Sequence, residues 1–148
     1  MESLSLYFPH GDRLARVVGS VPLGTTLQQV IVLLAAGPGE LGPPDARTAI
    51  ELGDVVSVQL SAGVASVGLA PKFRDLPATE QRLAVAQLVL TLTERPGVGQ
   101  VIFTIAGRPV AVPRANGSFG SRTVSSDNYV DLVDQAAPSS TDAATTIG

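Results

Sequence analysis

One histidine, thirteen carboxylates and no cysteine bound the chemistry open to this 148-residue chain. Without cysteine there is no disulfide, no thiolate metal ligand and no thiolate nucleophile. His10 is the single imidazole, so a histidine-based metal centre or a Ser/His/Asp triad would have to be built on it. It lies in Pro9-His10-Gly11-Asp12, which has the chemistry of a turn, and no Gly-x-Ser-x-Gly elbow presents a serine elsewhere. We read His10 as a solvated turn residue. Asp127, Asp131 and Asp134 would share a face if their segment is helical. They lack the spacing of a metal-binding loop and read as a solvated acidic face, and nothing in the spacing of the acids selects a general acid and base. Gly37-Pro38-Gly39-Glu40-Leu41-Gly42 matches G-x-G-x-x-G letter for letter. A dinucleotide site needs a strand before that motif and a helix after it, so that free amides meet the pyrophosphate. Here a helical pattern precedes it, Pro38 has no N–H and Glu40 would repel phosphate, so the run reads as a helix exit. No catalytic, cofactor-binding or metal-ligating residue is assigned, and no cofactor is expected.

The remaining composition narrows the class. At 45% hydrophobic, 16% charged, a mean hydropathy of +0.30 and a net charge of −3, the chain fits one soluble folded domain. The excess positive charge needed to neutralise a phosphate backbone is missing. Tyr7, Phe8, Phe73, Phe103, Phe119 and Tyr129 are too few and too dispersed for a base-stacking platform, so nucleic acid is not an expected partner. The longest apolar run, residues 30–36, falls far short of the roughly 20 residues a membrane-spanning helix needs. Met1-Glu2-Ser3-Leu4-Ser5 has neither the basic nor the apolar region of a signal peptide. Membrane attachment is therefore expected only through an anchor outside this sequence.

The elements that would position any site follow from periodicity. Residues 4–8 alternate at period two and meet a second apolar run, 14–18, across the turn at His10. Leu27, Val30, Ile31 and Leu34 take helical spacing, with Thr25 or Thr26 as cap and Gln28 or Gln29 three residues on, which predicts a helix over 26–36. Gly37-Pro38 ends it. Val56, Val58 and Leu60 alternate with Ser57 and Gln59, turn at Ser61-Ala62-Gly63, and are answered by Ala65, Val67 and Leu69. That is a hairpin with one core face, leaving Ser57, Gln59 and Ser66 outward. Residues 78–95 form a helix apolar on all but a narrow stripe of Glu80, Gln87, Thr91 and Glu94. Val101, Phe103 and Ile105 make a central strand, and Ala106-Gly107-Arg108-Pro109 turns the chain into 110–112. Residues 127–133 read as a short turn or a helical segment. The expected fold is α+β, with two helices packed on one face of a mainly antiparallel sheet of about six strands. The domain is expected over 4–133, with a disordered tail over 134–148.

The order of these marks resembles the GerMN domain, the module of spore-germination GerM proteins. It is carried by Leu6-Tyr7-Phe8, by Leu33-Leu34-Ala35-Ala36-Gly37-Pro38, and by Gly63-Val64-Ala65-Ser66-Val67 with Leu69 and Phe73. Gln87-Leu88-Val89-Leu90-Thr91-Leu92-Thr93 leads on to Pro96-Gly97-Val98, then Val101, Gly107 and Ser126-Asp127-Asn128-Tyr129. The resemblance covers roughly residues 4–130. It implies a non-enzymatic interaction and assembly module outside the cytoplasm, in a secreted or lipid-anchored protein of the cell envelope. The implied partner is an envelope protein, with self-association along a sheet edge or helix face as one mode. The competing expectation is a small-ligand or cell-wall glycan-binding domain, or a hydrolase, using loops 37–46 and 113–123 as a cleft.

Overall fold

Leu4, Leu6 and Phe8 alternate within β1 (Glu2–His10), which pairs antiparallel with β2 (Arg13–Val21). The register runs unbroken from Glu2 opposite Val21 to His10 opposite Arg13. Gly11, at φ +69°, supplies the left-handed conformation that closes the hairpin. His10 thus ends a strand and is half-buried, rather than sitting solvated in the turn. The computed structural model describes residues 2–39, 42, 45–51, 53–115, 119–120 and 123–133; the tail expected over 134–148 lies outside them.

The first helix, α1 (Leu27–Ala36), begins as its sequence predicts. Gln29 N–H donates to Thr26 Oγ1 at 3.2 Å, and Thr26 N–H donates to Gln29 Oε1 at 2.8 Å. This reciprocal box satisfies two amides that a helix start leaves open. The exit is at Gly37, φ +91°, whose N–H donates to the Leu34 carbonyl at 3.1 Å. Val30, Ile31 and Leu34 face the core.

The central hairpin, β3 (Val55–Ser61) and β4 (Val64–Leu69), departs from simple alternation. Val55 lies opposite Leu69 and Ser57 opposite Gly68, so Val56 is an extra residue. The bulge gives Val55 the core position expected of Val56, which turns outward and is 64% exposed. Leu60, on the edge, is 45% exposed and Val58 half-buried, whereas Ala65, Val67 and Leu69 are fully enclosed.

A 3-10 turn (Pro71–Asp75) leads to α2 (Ala78–Leu92), which ends three residues earlier than its pattern predicts. The chain then enters β5 (Gln100–Ile105), which lies parallel to β4. The helix is the crossover that such a parallel pair requires. After the turn at Ala106-Gly107, β6 (Arg108–Pro109) pairs with β5. The strand expected at 110–112 is instead β7 (Val112–Pro113), paired with β8 (Phe119–Gly120). Two 3-10 turns, Ser126–Asn128 and Val130–Leu132, complete the described chain.

The α+β class holds, but the single six-stranded sheet does not. The strands form a two-stranded β1-β2 sheet, a four-stranded sheet in the order β3-β4-β5-β6, and the small β7-β8 pair. The reason lies in α2. Residues 83–92 are all buried, and a helix enclosed on every side cannot rest on one face of one sheet. It packs against β1, β2, β5 and β7, while α1 packs against β1, β3 and α2. As expected, β5 is central within its sheet.

Gly68 marks the bulge. A Cβ there would collide with Ser57 Oγ and sit 3.3 Å from Val56 Cγ2. Gly68→Ala is expected to cost about 1 kcal/mol, the low end of the overpacking range because Ser57 is exposed and its hydroxyl can turn aside, and adding Ser57→Gly should recover much of it. Urea unfolding of the two variants checks this; an unchanged midpoint for Gly68→Ala would refute the crowding.

Candidate functional site

Glu80, Gln87 and Thr91 fall on one stripe of α2, and Glu94 continues it in the turn just beyond the helix end at Leu92. Far from facing water throughout, the middle of this stripe is the most enclosed polar group among the described residues. Gln87 and Thr91 are 0% exposed. Gln87 Nε2 donates to Thr48 Oγ1 at 3.0 Å, and Gln87 Oε1 accepts from the Ala49 N–H at 3.1 Å. Thr91 Oγ1 accepts from the Tyr7 N–H at 3.0 Å, and the Tyr7 hydroxyl donates to Glu94 Oε2 at 3.0 Å. At the other end Arg47 makes a bidentate pair with Glu80, at 3.0 and 2.8 Å. The stripe stitches β1 and segment 45–51 to α2. The two buried side chains of the stripe, Gln87 and Thr91, are both matched, as burial demands.

Two further ties complete the frame. Arg95 meets Glu2 through its two terminal guanidinium nitrogens, at 3.3 and 3.2 Å, and donates to the Thr25 carbonyl. The hydrogen bond from Arg95 holds the Glu2 carboxyl below its ordinary range. Tyr129 is wholly buried and donates to the Pro113 carbonyl at 2.8 Å. Burial raises its hydroxyl pKa. Burial, followed by the hydrogen bond to Glu94 and that carboxylate's charge, pushes Tyr7 up to about 12.

The residues singled out for chemistry do not converge into a site. Asp127 and Asp131 lie exposed on successive 3-10 turns, and Asp134 lies outside the described residues. Among the described residues no group of His, Cys, Asp and Glu could hold a metal ion. A polar groove of about 260 Å³ lies by Arg47, Asp54, Lys72 and Glu80. Its charges pair with one another: Arg47 with Glu80, and Lys72 with Asp54 at 3.3 Å. A second concavity, of about 560 Å³, lies between the end of β2 and α1, lined by Leu23, Gln29, Val32 and Leu33 among others. None of its lining residues is charged, and Leu23, Val32 and Leu33 are exposed. No described residue of loops 37–46 or 113–123 lines these grooves or a third one, of about 310 Å³, beside Phe73 and Val110. The missed signal for the buried seam was present: polar residues repeating at helical spacing on a helix otherwise apolar all round.

This architecture can now be compared with known proteins. The family model Germane, described as sporulation and spore germination, matches residues 5–111. The chain belongs to the Germane family. Its fold agrees with the solved tandem GerMN domains of the sporulation protein GerM from Bacillus subtilis, at a TM-score of 0.66 and 21% identity. That match covers 84% of this chain and 46% of the tandem protein, so the Germane domain described here spans about half of that relative. Against the first GerMN domain alone the TM-score is again 0.66 at 20% identity, covering 86% of this chain and 99% of that one. A protein from Clostridium perfringens described as a lipoprotein matches with a TM-score of 0.53 at 16% identity, covering 88% and 91%. No curated protein sequence matches significantly. The resemblance read from the residues is therefore correct at the level of family and domain fold.

Two measurements test the buried seam of this Germane domain. Gln87→Leu strands the Ala49 N–H and removes a partner of Thr48, which should cost roughly 2–4 kcal/mol in urea unfolding; a loss below about 0.5 kcal/mol would show the bonds to be dispensable. The chain has two tyrosines, and both are raised. A hydroxyl with a raised folded pKa contributes stability that is full below the unfolded value near 10 and is lost as pH rises toward about 12. Phenolate absorbance of the folded protein should stay flat through pH 10, and a native transition at pH 10 would contradict the burial.

Proposed function

We propose that this Germane domain is a non-enzymatic interaction and assembly module of the cell envelope, working outside the cytoplasm in a lipid-anchored or secreted protein. One observation carries the reading: the polar groups best placed for chemistry, Tyr7, Gln87, Thr91 and Glu94, are occupied in holding β1 and segment 45–51 to α2. What the fold offers to solvent is apolar and uncharged surface at Leu23, Val32 and Leu33, which suits contact with another macromolecule. The family's description as sporulation and spore germination, and a fold relative described as a lipoprotein, support a place at the envelope. No described helix is long and apolar enough to cross a membrane, so attachment would be through an anchor. The expected partner is an envelope protein.

The test is topological. The full-length protein, tagged at its C-terminus and expressed in its native host, is exposed to protease added to intact protoplasts. Digestion of the tagged domain, with a cytoplasmic marker preserved, is the expected result. Protection until the membrane is lysed would place the domain inside and overturn the reading.

A further inference from the structure

Arg13, Arg16, Arg47, Lys72 and Arg95 each meet an oxygen acceptor within the chain. Among the described residues Arg74, Arg82, Arg108 and Arg114 meet none. These four are gathered in one place. The groove of about 310 Å³ where β5 ends and α2 begins is lined by Phe73, Arg74, Gln81, Ile105, Val110 and Ala111. Arg74 lines it directly and is exposed. Arg108 stands opposite Ile105 across the tight turn at Ala106-Gly107. Directly opposed residues leave a sheet on the same side, so the Arg108 side chain projects on the side of the groove. Arg82 is one residue from Gln81, and Arg114 three from Ala111. The Nε atoms of Arg82 and Arg114 are shut off from water without an acceptor, a rare condition in folded chains. Opposing acids are scarce: over 71–82 and 104–114 they are Asp75 and Glu80, and Glu80 is held by Arg47. A chain of net charge −3 thus concentrates uncompensated positive charge here. The groove is also held in shape. Gln81 Nε2 donates to the carbonyls of Phe73, Arg74 and Leu76, at 3.3, 3.2 and 3.0 Å, which fixes the 3-10 turn carrying Arg74 to α2. Its walls are apolar, with Phe73 and Ile105 buried and Val110 half-buried.

We propose that this groove binds a phosphate monoester on a short apolar stem, the phosphate held by Arg74 and Arg108 and the stem resting on Phe73, Ile105 and Val110. Arginine presents a planar fork of donors that matches phosphate oxygens in pairs. Two uncompensated guanidiniums call for about two negative charges, which a phosphate monoester brings near neutral pH and a carboxylate does not. The volume lies at the lower end for small-ligand pockets and suits a stem of a few carbons. Such a group comes either as a small soluble ester or as the headgroup of an anionic lipid. The site goes beyond the interaction-module reading and does not require it.

The experiment is a titration of the purified intact chain at about pH 7.5, where the monoester is close to doubly charged, followed by amide NMR shifts. The probes are butyl phosphate, inorganic phosphate and pentanoate. Butyl phosphate should give saturable shifts centred on residues 73–74, 81, 105 and 108–111, with a dissociation constant near or below about 1 mM. Inorganic phosphate should bind at least about fivefold more weakly, since burying even two methylenes is worth more than that factor. Pentanoate, with a similar stem and one charge, should bind at least about tenfold more weakly. Arg74→Gln and Arg108→Gln should each weaken butyl phosphate about tenfold, while Arg13→Gln leaves it unchanged. The two arginines lie exposed in separate elements, so if the amide spectrum shows one variant misfolded the other decides, and the wild-type ranking of the probes stands by itself. No saturation by about 10 mM, shifts centred elsewhere, pentanoate as tight as butyl phosphate, or variants of wild-type affinity would each overturn the proposal. Flotation with phosphatidylcholine vesicles containing phosphatidic acid separates the two sources. Capture that Arg74→Gln abolishes assigns the lipid headgroup; butyl phosphate binding without capture assigns the soluble ester. A failed titration leaves the envelope reading standing, and protection in protoplasts removes that reading while leaving this site.

Discussion

Everything in this domain is arranged around α2 being buried on every side. Ten successive residues, 83–92, have no exposed member, and among them stand a glutamine and a threonine. A polar group in such a place costs free energy unless it is hydrogen-bonded. Gln87 and Thr91 therefore dictate where their neighbours must run: the backbone at Ala49 has to present its N–H, and β1 has to present that of Tyr7. The apolar part of the helix provides most of the burial, without direction. The two polar residues provide direction, which is how a buried helix acquires one orientation among several of similar packing.

This explains how a fold can persist at 20–21% identity to the GerMN domains of GerM. The requirements are a crossover helix with apolar residues all round, a parallel β4–β5 pair on one side and a long hairpin on another. Many apolar residues of suitable volume satisfy them.

The distribution of charge on this surface is uneven. Around segment 45–54 acids and bases neutralise one another in pairs, as Arg47 does with Glu80 and Lys72 with Asp54. The groove beside α1 and the edge at β3 carry none. Surface that stays exposed to water is ordinarily studded with both signs of charge. Two uncharged regions on a domain of this size mark where contacts with other molecules are cheapest in desolvation.

Local chemistry made much of this legible. Thr26 with Gln29, Gly37 and the alternation of Val101, Phe103 and Ile105 depend on neighbours a few residues away, and these elements stand where their residues predicted. The unusual burial of α2 was legible too, but not its consequence, because a pattern says that a face is covered without saying by what. Hence one sheet was expected where the strands divide among three. The bulge at Val56 escaped for a related reason: alternation in β3 is satisfied by either of two registers, and only Gly68 across the strand, lacking a Cβ, makes room for the extra residue. His10 was placed in a turn by its neighbours but ends a strand because Arg13 pairs opposite it. The sequence by itself determined the start and exit of α1, the apolar inventory and the family. Tertiary structure alone decided which sides of α2 meet which strands and which polar residues are buried, because those depend on contacts between residues far apart in the chain, 87 positions for Tyr7 and Glu94 and 93 for Glu2 and Arg95.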